Sequence, residues 1–243
     1  MAASAGSAAH TAGQPRGVTR VCIVTGGSRG IGAAVCERLA ADGYRVAVNF
    51  KGNRAKADEV VARIKSARGS AIAVQADVAV VADVTRMFDQ VQAELGPVTA
   101  VVNNAGLLGP LTGLLDDATV DELGLVMATN LYGALHVLRE AARRMSTERG
   151  GQGGAVVNVS AGSAFTGQPL AYAMSKGALN SLTAGCVEEL AQQGIRINTV
   201  SPGPVLTDMM GGFDEAAQAQ MASQVPQGRA GQPSEVAAGV AWL

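Results

Sequence analysis

Aromatic side chains are scarce in this 243-residue chain: four Phe, three Tyr and one Trp, 3% of the whole. A core built on stacked rings is excluded, and Val, Ala, Leu and Ile must fill it. Charge is also sparse. Nineteen Lys and Arg against 20 Asp and Glu leave a net charge of −1, with no long run of either sign. That balance argues against a nucleic-acid footprint and against a polybasic membrane patch. Cysteine is rare and odd in number. Cys22, Cys36 and Cys186 lack metal-type spacing and read as reduced, buried thiols of a cytoplasmic protein. No apolar run approaches the roughly 18 residues of a membrane span. Residues Met1–Gly17 lack both the apolar core of a secretory signal and the repeated arginines of a transit peptide, so a disordered tail is expected there. No repeat of solenoid length recurs.

Glycine, by contrast, is plentiful. The 31 glycines carry no three-residue period, so they mark tight turns and close backbone approaches rather than a collagen-like helix. Hydrophobic residues make up 48%, and the length suits one globular α/β domain, expected over residues 18–243. Strands are predicted at Thr19–Thr25, Arg45–Phe50, Ala71–Ala76, Val98–Val102, Ala155–Val159 and Ile195–Val200. Helical segments alternate with them: one ending near Ala41, then Arg54–Ser66, one from about Val81, Thr119–Met145, Tyr172–Gln193 and one from Pro233. Six such alternations predict a doubly wound parallel sheet, Rossmann-like, with right-handed crossovers.

The first strand runs into Thr25-Gly26-Gly27-Ser28-Arg29-Gly30-Ile31-Gly32 and then a helix, the opening half of a dinucleotide-binding unit. Gly26 permits the tight turn, Gly30 removes bulk beside a pyrophosphate, and Gly32 lets helix and strand pack closely. The helix N-terminus offers N–H groups and a positive dipole end to phosphate. The alternative is a glycine turn without a ligand. At the end of the second strand, where a carboxylate would hold a ribose 2′-hydroxyl, stand Asn49, Phe50 and Lys51. With Arg29 in the turn, two cations and no acid favour a 2′-phosphate, hence NADP(H) over NAD(H). Alternatively, Lys51 and Arg54 are solvated loop charges. Asp77, at the end of the third strand, can accept from an adenine amine or cap the next helix.

Tyr172 and Lys176 stand four residues apart on a predicted helix, on one face. A lysine cation beside a phenol favours the phenolate, lowering the tyrosine pKa toward a range usable for proton transfer. Taken alone, Tyr-x-x-x-Lys is equally an ordinary helix surface pair. Asn130 is polar within the apolar stretch Leu125, Val126, Met127, Leu131. A buried Asn must satisfy its hydrogen bonds, and it can bend a helix or hold a water. Asn103-Asn104-Ala105-Gly106 offers small and amide residues at a strand end. The stretch with Met209, Met210, Gly211 and Gly212, following a strand end, reads as a lid.

Four motifs in order, the Thr25–Gly32 turn, Asn103-Asn104-Ala105-Gly106, Tyr172-x-x-x-Lys176 and Pro202-Gly203, closely resemble the short-chain dehydrogenase/reductase family from about residue 18 onward. The subgroup resembled contains glucose-dehydrogenase-like and ketoacyl-reductase-like bacterial enzymes. The resemblance implies Tyr172 as general acid or base, Lys176 binding the nicotinamide ribose and depressing the Tyr172 pKa, and Asn130 holding a relay water. It implies Asp77 and Val78 along the adenine, Asn103, Ala105 and Gly106 behind a ribose, and Val205 and Thr207 at the carboxamide. The family's serine position aligns with Ala161. Ser160, twelve residues before Tyr172, is expected to take that role, with Ser163 in reserve. Family members also continue past the last helix into a further strand, so either an incomplete sequence or a truncated variant with an exposed sheet edge is expected. A homodimer or homotetramer is implied, with Thr119–Met145 and Tyr172–Gln193 at the interface unless their apolar faces only cover the sheet.

The leading expectation is an NADP-dependent enzyme interconverting a small-molecule carbonyl and a secondary alcohol, with no metal, nucleic acid or membrane involved. Two alternatives stand beside it: a non-catalytic dinucleotide-binding sensor or scaffold, and a methyltransferase on a similar sheet. The latter would not need Tyr172 and Lys176. Leu107, Leu108, Phe165, Leu170, Met209 and Met210 can line a lipophilic pocket or simply pack.

Overall fold

A computed structural model describes residues 19–109, 119–209, 215–223 and 225–243. The predicted tail Met1–Gly17 and the lid residues Met210, Gly211 and Gly212 lie outside these residues. Six strands alternate with helices in chain order: β1 (Val21–Val24), α1 (Gly30–Ala41), β2 (Arg45–Phe50), α2 (Arg54–Ser66), β3 (Ser70–Gln75), α3 (Val81–Leu95), β4 (Ala100–Asn103) and α4 (Val120–Met127). A π-helical turn, Ala128–Gly133, joins α4 to α5 (Ala134–Met145). Then come β5 (Gly154–Val159), the short α6 (Ser163–Thr166), α7 (Leu170–Gln192), β6 (Ile195–Val200), α8 (Glu215–Ser223) and α9 (Pro233–Trp242).

All pairings are parallel, in the order β3-β2-β1-β4-β5-β6. The chain winds outward one way from β1 and then the other way from β4. The switch point between β1 and β4 opens a crevice at the strands' carboxyl ends. Alternate residues serve opposite layers. From β1, Cys22 and Val24 join one core with Val35, Val48, Phe50 and Ile64, while Val21 and Ile23 join the other with Phe88, Met87, Val137 and Ile195. Burial on both faces explains the near-continuous Val and Ile runs of these strands.

Strand β4 starts at Ala100 rather than at the predicted Val98. The Thr99 hydroxyl takes the Val21 N–H at 3.1 Å, in place of a ladder carbonyl. The predicted long helix over Thr119–Met145 is interrupted by the π turn. Its start is set by a capping box in which Thr119 Oγ1 accepts from Glu122 N–H and Glu122 answers to Thr119 N–H. Helix α9 starts at the predicted Pro233. Cys22 and Cys36 are buried, whereas Cys186 is only partly so.

Candidate active site

The glycine turn is drawn tight at the switch point. Gly26 has φ +62°, a conformation open to glycine, and a Cβ there would sit 3.0 Å from Ala105 Cα. A Cβ on Gly32 would press into the Gly26 carbonyl oxygen and lie 2.5 Å from Asn104 Nδ2. Asn104 Nδ2 donates to the Thr25 and Gly26 carbonyls at 3.0 and 3.1 Å. Thr25 Oγ1 accepts from the Asn104 and Ala105 amides, both at 3.0 Å. These bonds stitch the turn to the end of β4. Sequence reasoning assigned no role to Asn104 or to the Thr25 hydroxyl; the available signal was a second amide beside Asn103. Asn49, buried beneath the turn, accepts from Gly26 N–H at 3.2 Å and donates to the Val74 and Ala76 carbonyls. Its side chain braces the turn from below.

Arg29 forms the N-cap of α1 without a side-chain cap, so the first N–H groups of the helix face the crevice mouth uncapped. A Cβ on Gly30 would meet Thr207 Cγ2 at 3.2 Å, so Thr207 lies over the turn. Ser28 is half-buried in this turn, and Ile31 packs on the adjoining core. The cradle of Gly26, Ser28, Arg29, Gly30, Ile31 and Gly32 thus has the tightness and bare N–H groups that suit a pyrophosphate.

At the neighbouring strand ends, Lys51 Nζ lies 2.7 Å from Asp77 Oδ2. The carboxylate absent from β2 arrives from β3. Asp77 does not cap α3, whose N-cap is Val80; its Oδ1 accepts from Ala79 N–H at 3.0 Å. Val78 is buried against Gly133, and its carbonyl lies 3.1 Å from His136 Nδ1.

A second cluster lies between β4, the π turn and α7. Asn130 accepts from Leu107 N–H at 2.7 Å, donates to Leu107 O at 2.9 Å, and donates to Ser175 Oγ at 2.9 Å. Ser175 Oγ in turn donates to Tyr172 O at 2.7 Å. The π turn therefore carries an amide that clamps the loop after β4 onto the turn of α7 bearing Tyr172. A Cβ on Gly106 would sit 3.4 Å from Asn130 Oδ1 and 3.7 Å from Lys176 Nζ, so these three groups converge. Lys176 is buried, with its ammonium 5.5 Å from the Tyr172 ring centroid and donating to Val159 O at 2.7 Å.

The short chain dehydrogenase family model matches residues 20–218. The chain belongs to the short-chain dehydrogenase/reductase family. It is 41% identical over 227 residues to an uncharacterized oxidoreductase, YgfF, of Escherichia coli (strain K12), covering 92% of each chain. It is 36% identical over 228 residues to the 3-oxoacyl-(acyl-carrier-protein) reductase FabG of Staphylococcus aureus, covering 93% of this chain and 91% of that one. Among solved structures, a dehydrogenase/reductase from Sinorhizobium meliloti 1021 superposes with a TM-score of 0.85 at 32% identity, over 92% of this chain and 87% of that one. A short-chain dehydrogenase/reductase from Serratia marcescens gives 0.83 at 34%, over 92% and 89%. The family makes this chain an oxidoreductase that uses a nicotinamide cofactor on small molecules. Among the described residues, no helix is long and apolar enough to cross a membrane.

In this short-chain dehydrogenase/reductase the Tyr172–Lys176 pair departs from expectation in one respect. Burial pushes the Tyr172 phenol up to about 12, not down, and brings the Lys176 ammonium down to about 8. The lysine's charge is bonded to the Val159 carbonyl and lies over the ring face, so desolvation governs the phenol. Ser160 is buried with its Oγ donating to Lys176 O at 3.1 Å, which ties it to the backbone of α7. Ala161 is also buried. Ser163 opens α6 and is half-buried; its hydroxyl has no partner among the described residues. Asn103 donates to Asn158 Oδ1 at 2.9 Å, within a buried polar row that continues to Thr183 and Thr199. Its Oδ1 has no donor among the described residues. Pro202 O receives Gly162 N–H at 2.7 Å, Gly203 lies exposed beside it, and Val205 pairs with Gly231 in a short parallel bridge.

Proposed function

We propose that this chain is an NADP(H)-dependent reductase or dehydrogenase that interconverts a carbonyl and a secondary alcohol, with Tyr172 as the proton donor or acceptor. The observation that carries the reading is the stacking of Lys176 against Tyr172 one helical turn away, at the same strand-end crevice as the glycine turn. When bound, the nicotinamide supplies or takes the hydride. The turn from Gly26 to Gly32 would hold the pyrophosphate, Arg29 and Lys51 the 2′-phosphate, and Asp77 and Val78 the adenine. Asn103, Ala105 and Gly106 would back the ribose, which Lys176 also binds. Pro202, Gly203, Val205 and Thr207 would lie against the carboxamide end.

The phenol keeps its proton throughout the neutral range, so Tyr172 is ready to protonate a carbonyl oxygen. For the reverse direction its pKa must fall, and Lys176, over its ring, is a cation that can lower it. Asn130 makes three bonds to protein, which leaves one Oδ1 lone pair near Gly106 and Lys176 for a relay water. Ser160 acts here by steadying the Lys176 turn through its carbonyl, and Ser163 is the hydroxyl left to polarise a substrate. A homodimer or homotetramer in the cytoplasm completes the reading. Exposed Leu125, Tyr132 and Val187 on α4, the π turn and α7 would lie at its interface.

The bond from Ser160 into the helix, together with Ala161, favours the second reading, a nucleotide-binding relative without turnover. One experiment separates the two: titration with NADPH and NADH, followed by turnover of a panel of ketones and aldehydes by wild type and Tyr172→Phe. The enzyme reading expects turnover that falls about 100-fold or more in Tyr172→Phe with nucleotide binding retained. Tight binding without turnover across the panel would move the assignment to the second reading.

A further inference from the structure

Lys51 and Asp77 leave adjacent strands at the same edge of the sheet. Phe50 stands opposite Gln75, and Ala76 N–H donates to Phe50 O at 3.0 Å. One residue further along each chain, the ammonium and carboxylate meet at 2.7 Å. The two partners are not equally fixed. The Lys51 side chain is 69% exposed and that of Asp77 22%. Asp77 Oδ1 is engaged by Ala79 N–H, and its own N–H donates to Asp83 Oδ2, which is in turn part of a carboxylate held by Arg86. The following peptide is pinned at Val78 O by His136. An exposed cation is therefore paired with an anchored acid. Arg29, the other cation of the cofactor reading, has no side-chain partner among the described residues.

We propose that Asp77 is a specificity-determining residue for the 2′ position of the cofactor, acting through Lys51. The inference rests on the cofactor reading above. A 2′-phosphate must compete with Asp77 for the Lys51 ammonium. A 2′-hydroxyl, which carries no charge, meets no such competition. Asp77 thereby narrows the preference for NADP(H) over NAD(H) that Arg29 and Lys51 create. Its effect should be about two- to fivefold, the range of a partly exposed ion pair.

The test measures the ratio of the NADH to the NADPH dissociation constant, by nucleotide fluorescence, in wild type, Asp77→Asn, Lys51→Ala and the double variant. Asparagine keeps the Oδ1 acceptor for Ala79 N–H, so the loop retains its fold. Any contact of Asp77 with adenine is common to both nucleotides and cancels in the ratio. The expected result is a ratio about two- to fivefold higher in Asp77→Asn, lower in Lys51→Ala, and unmoved by Asp77→Asn in the Lys51→Ala background. An unchanged or lower ratio in Asp77→Asn overturns the proposal. So does an equal rise without Lys51, which would mean direct repulsion of phosphate. A wild type that prefers NADH overturns the NADP reading alone. The shift from wild type to Asp77→Asn, in which the parent's preference cancels, still decides the role of Asp77. Failure of both nucleotides to bind overturns both.

Discussion

Lys176 is asked to be charged in a place that resists charge. Its ammonium is buried, has one carbonyl partner among the described residues, and titrates at about 8 instead of the ordinary 10.5. Carbonyl reduction that depends on both the Lys176 charge and the Tyr172 proton should therefore be flat in the neutral range. It should then fall about tenfold per pH unit above about pH 8. The phenol, at about 12, holds its proton across that window and does not set the limb. A rate profile of kcat/KM against pH measures this; a limb that stays flat through pH 9, about one unit beyond the lysine, would show that its charge is not needed. For stability the sign is reversed. The folded chain binds this proton more weakly than the unfolded chain. Lys176 is therefore destabilising below about pH 8, and the penalty fades as pH rises toward 10.5. Lys176→Met should abolish turnover yet raise the unfolding free energy at neutral pH by about 1–3 kcal/mol, measured by urea titration.

Among the elements, the strand–turn–helix from β1 to α1 carries the sharpest steric demand. A methyl group on Gly32 has nowhere to go between the Gly26 carbonyl and the Asn104 amide, both of which hold the turn closed. Gly32→Ala should weaken nucleotide binding at least about tenfold, through roughly 1.4 kcal/mol or more of displaced turn. Gly185→Ala, on the exposed side of α7 with open space around its Cα, should bind nucleotide normally and gain about 0.5–1 kcal/mol in stability. Fluorescence titration and urea unfolding of the two variants check the pair. These elements were legible in the sequence because buried parallel strands print as Val and Ile runs, and because the turn needs glycine where the backbone approaches itself. Asn130 was legible as a residue that can bend its helix, but the π turn over Ala128–Gly133 was not, since its partners Leu107 and Ser175 come from other elements. Nor was the acid beside Lys51, because Asp77 reaches it from the next strand. The direction of the Ser160 hydroxyl was equally hidden: spacing to Tyr172 says nothing of whether Oγ faces the crevice or the backbone of α7.

At the scale of the whole molecule, two apolar layers sandwich one sheet, and the crevice lies where their windings diverge. The glycine turn, Lys51 and Asp77, the π turn and α7 all border that crevice, yet they come from both halves of the chain. A nucleotide spanning the crevice would tie those halves together, so its binding should register as global stability and not only as local order. With NADPH at about 100 times its dissociation constant, linkage predicts about 2.7 kcal/mol of stabilisation. For a domain of this size that is roughly 5–10 °C in Tm. Thermal unfolding with NADPH, with NADH at equal concentration and with neither should rank them in that order. The gap between the two nucleotides reports only the 2′ group. It should widen in Asp77→Asn and narrow in Lys51→Ala, where Arg29 remains. An NADPH shift no larger than that of an equal concentration of inorganic pyrophosphate would mean that only the glycine turn is engaged, and that the two halves are not bridged.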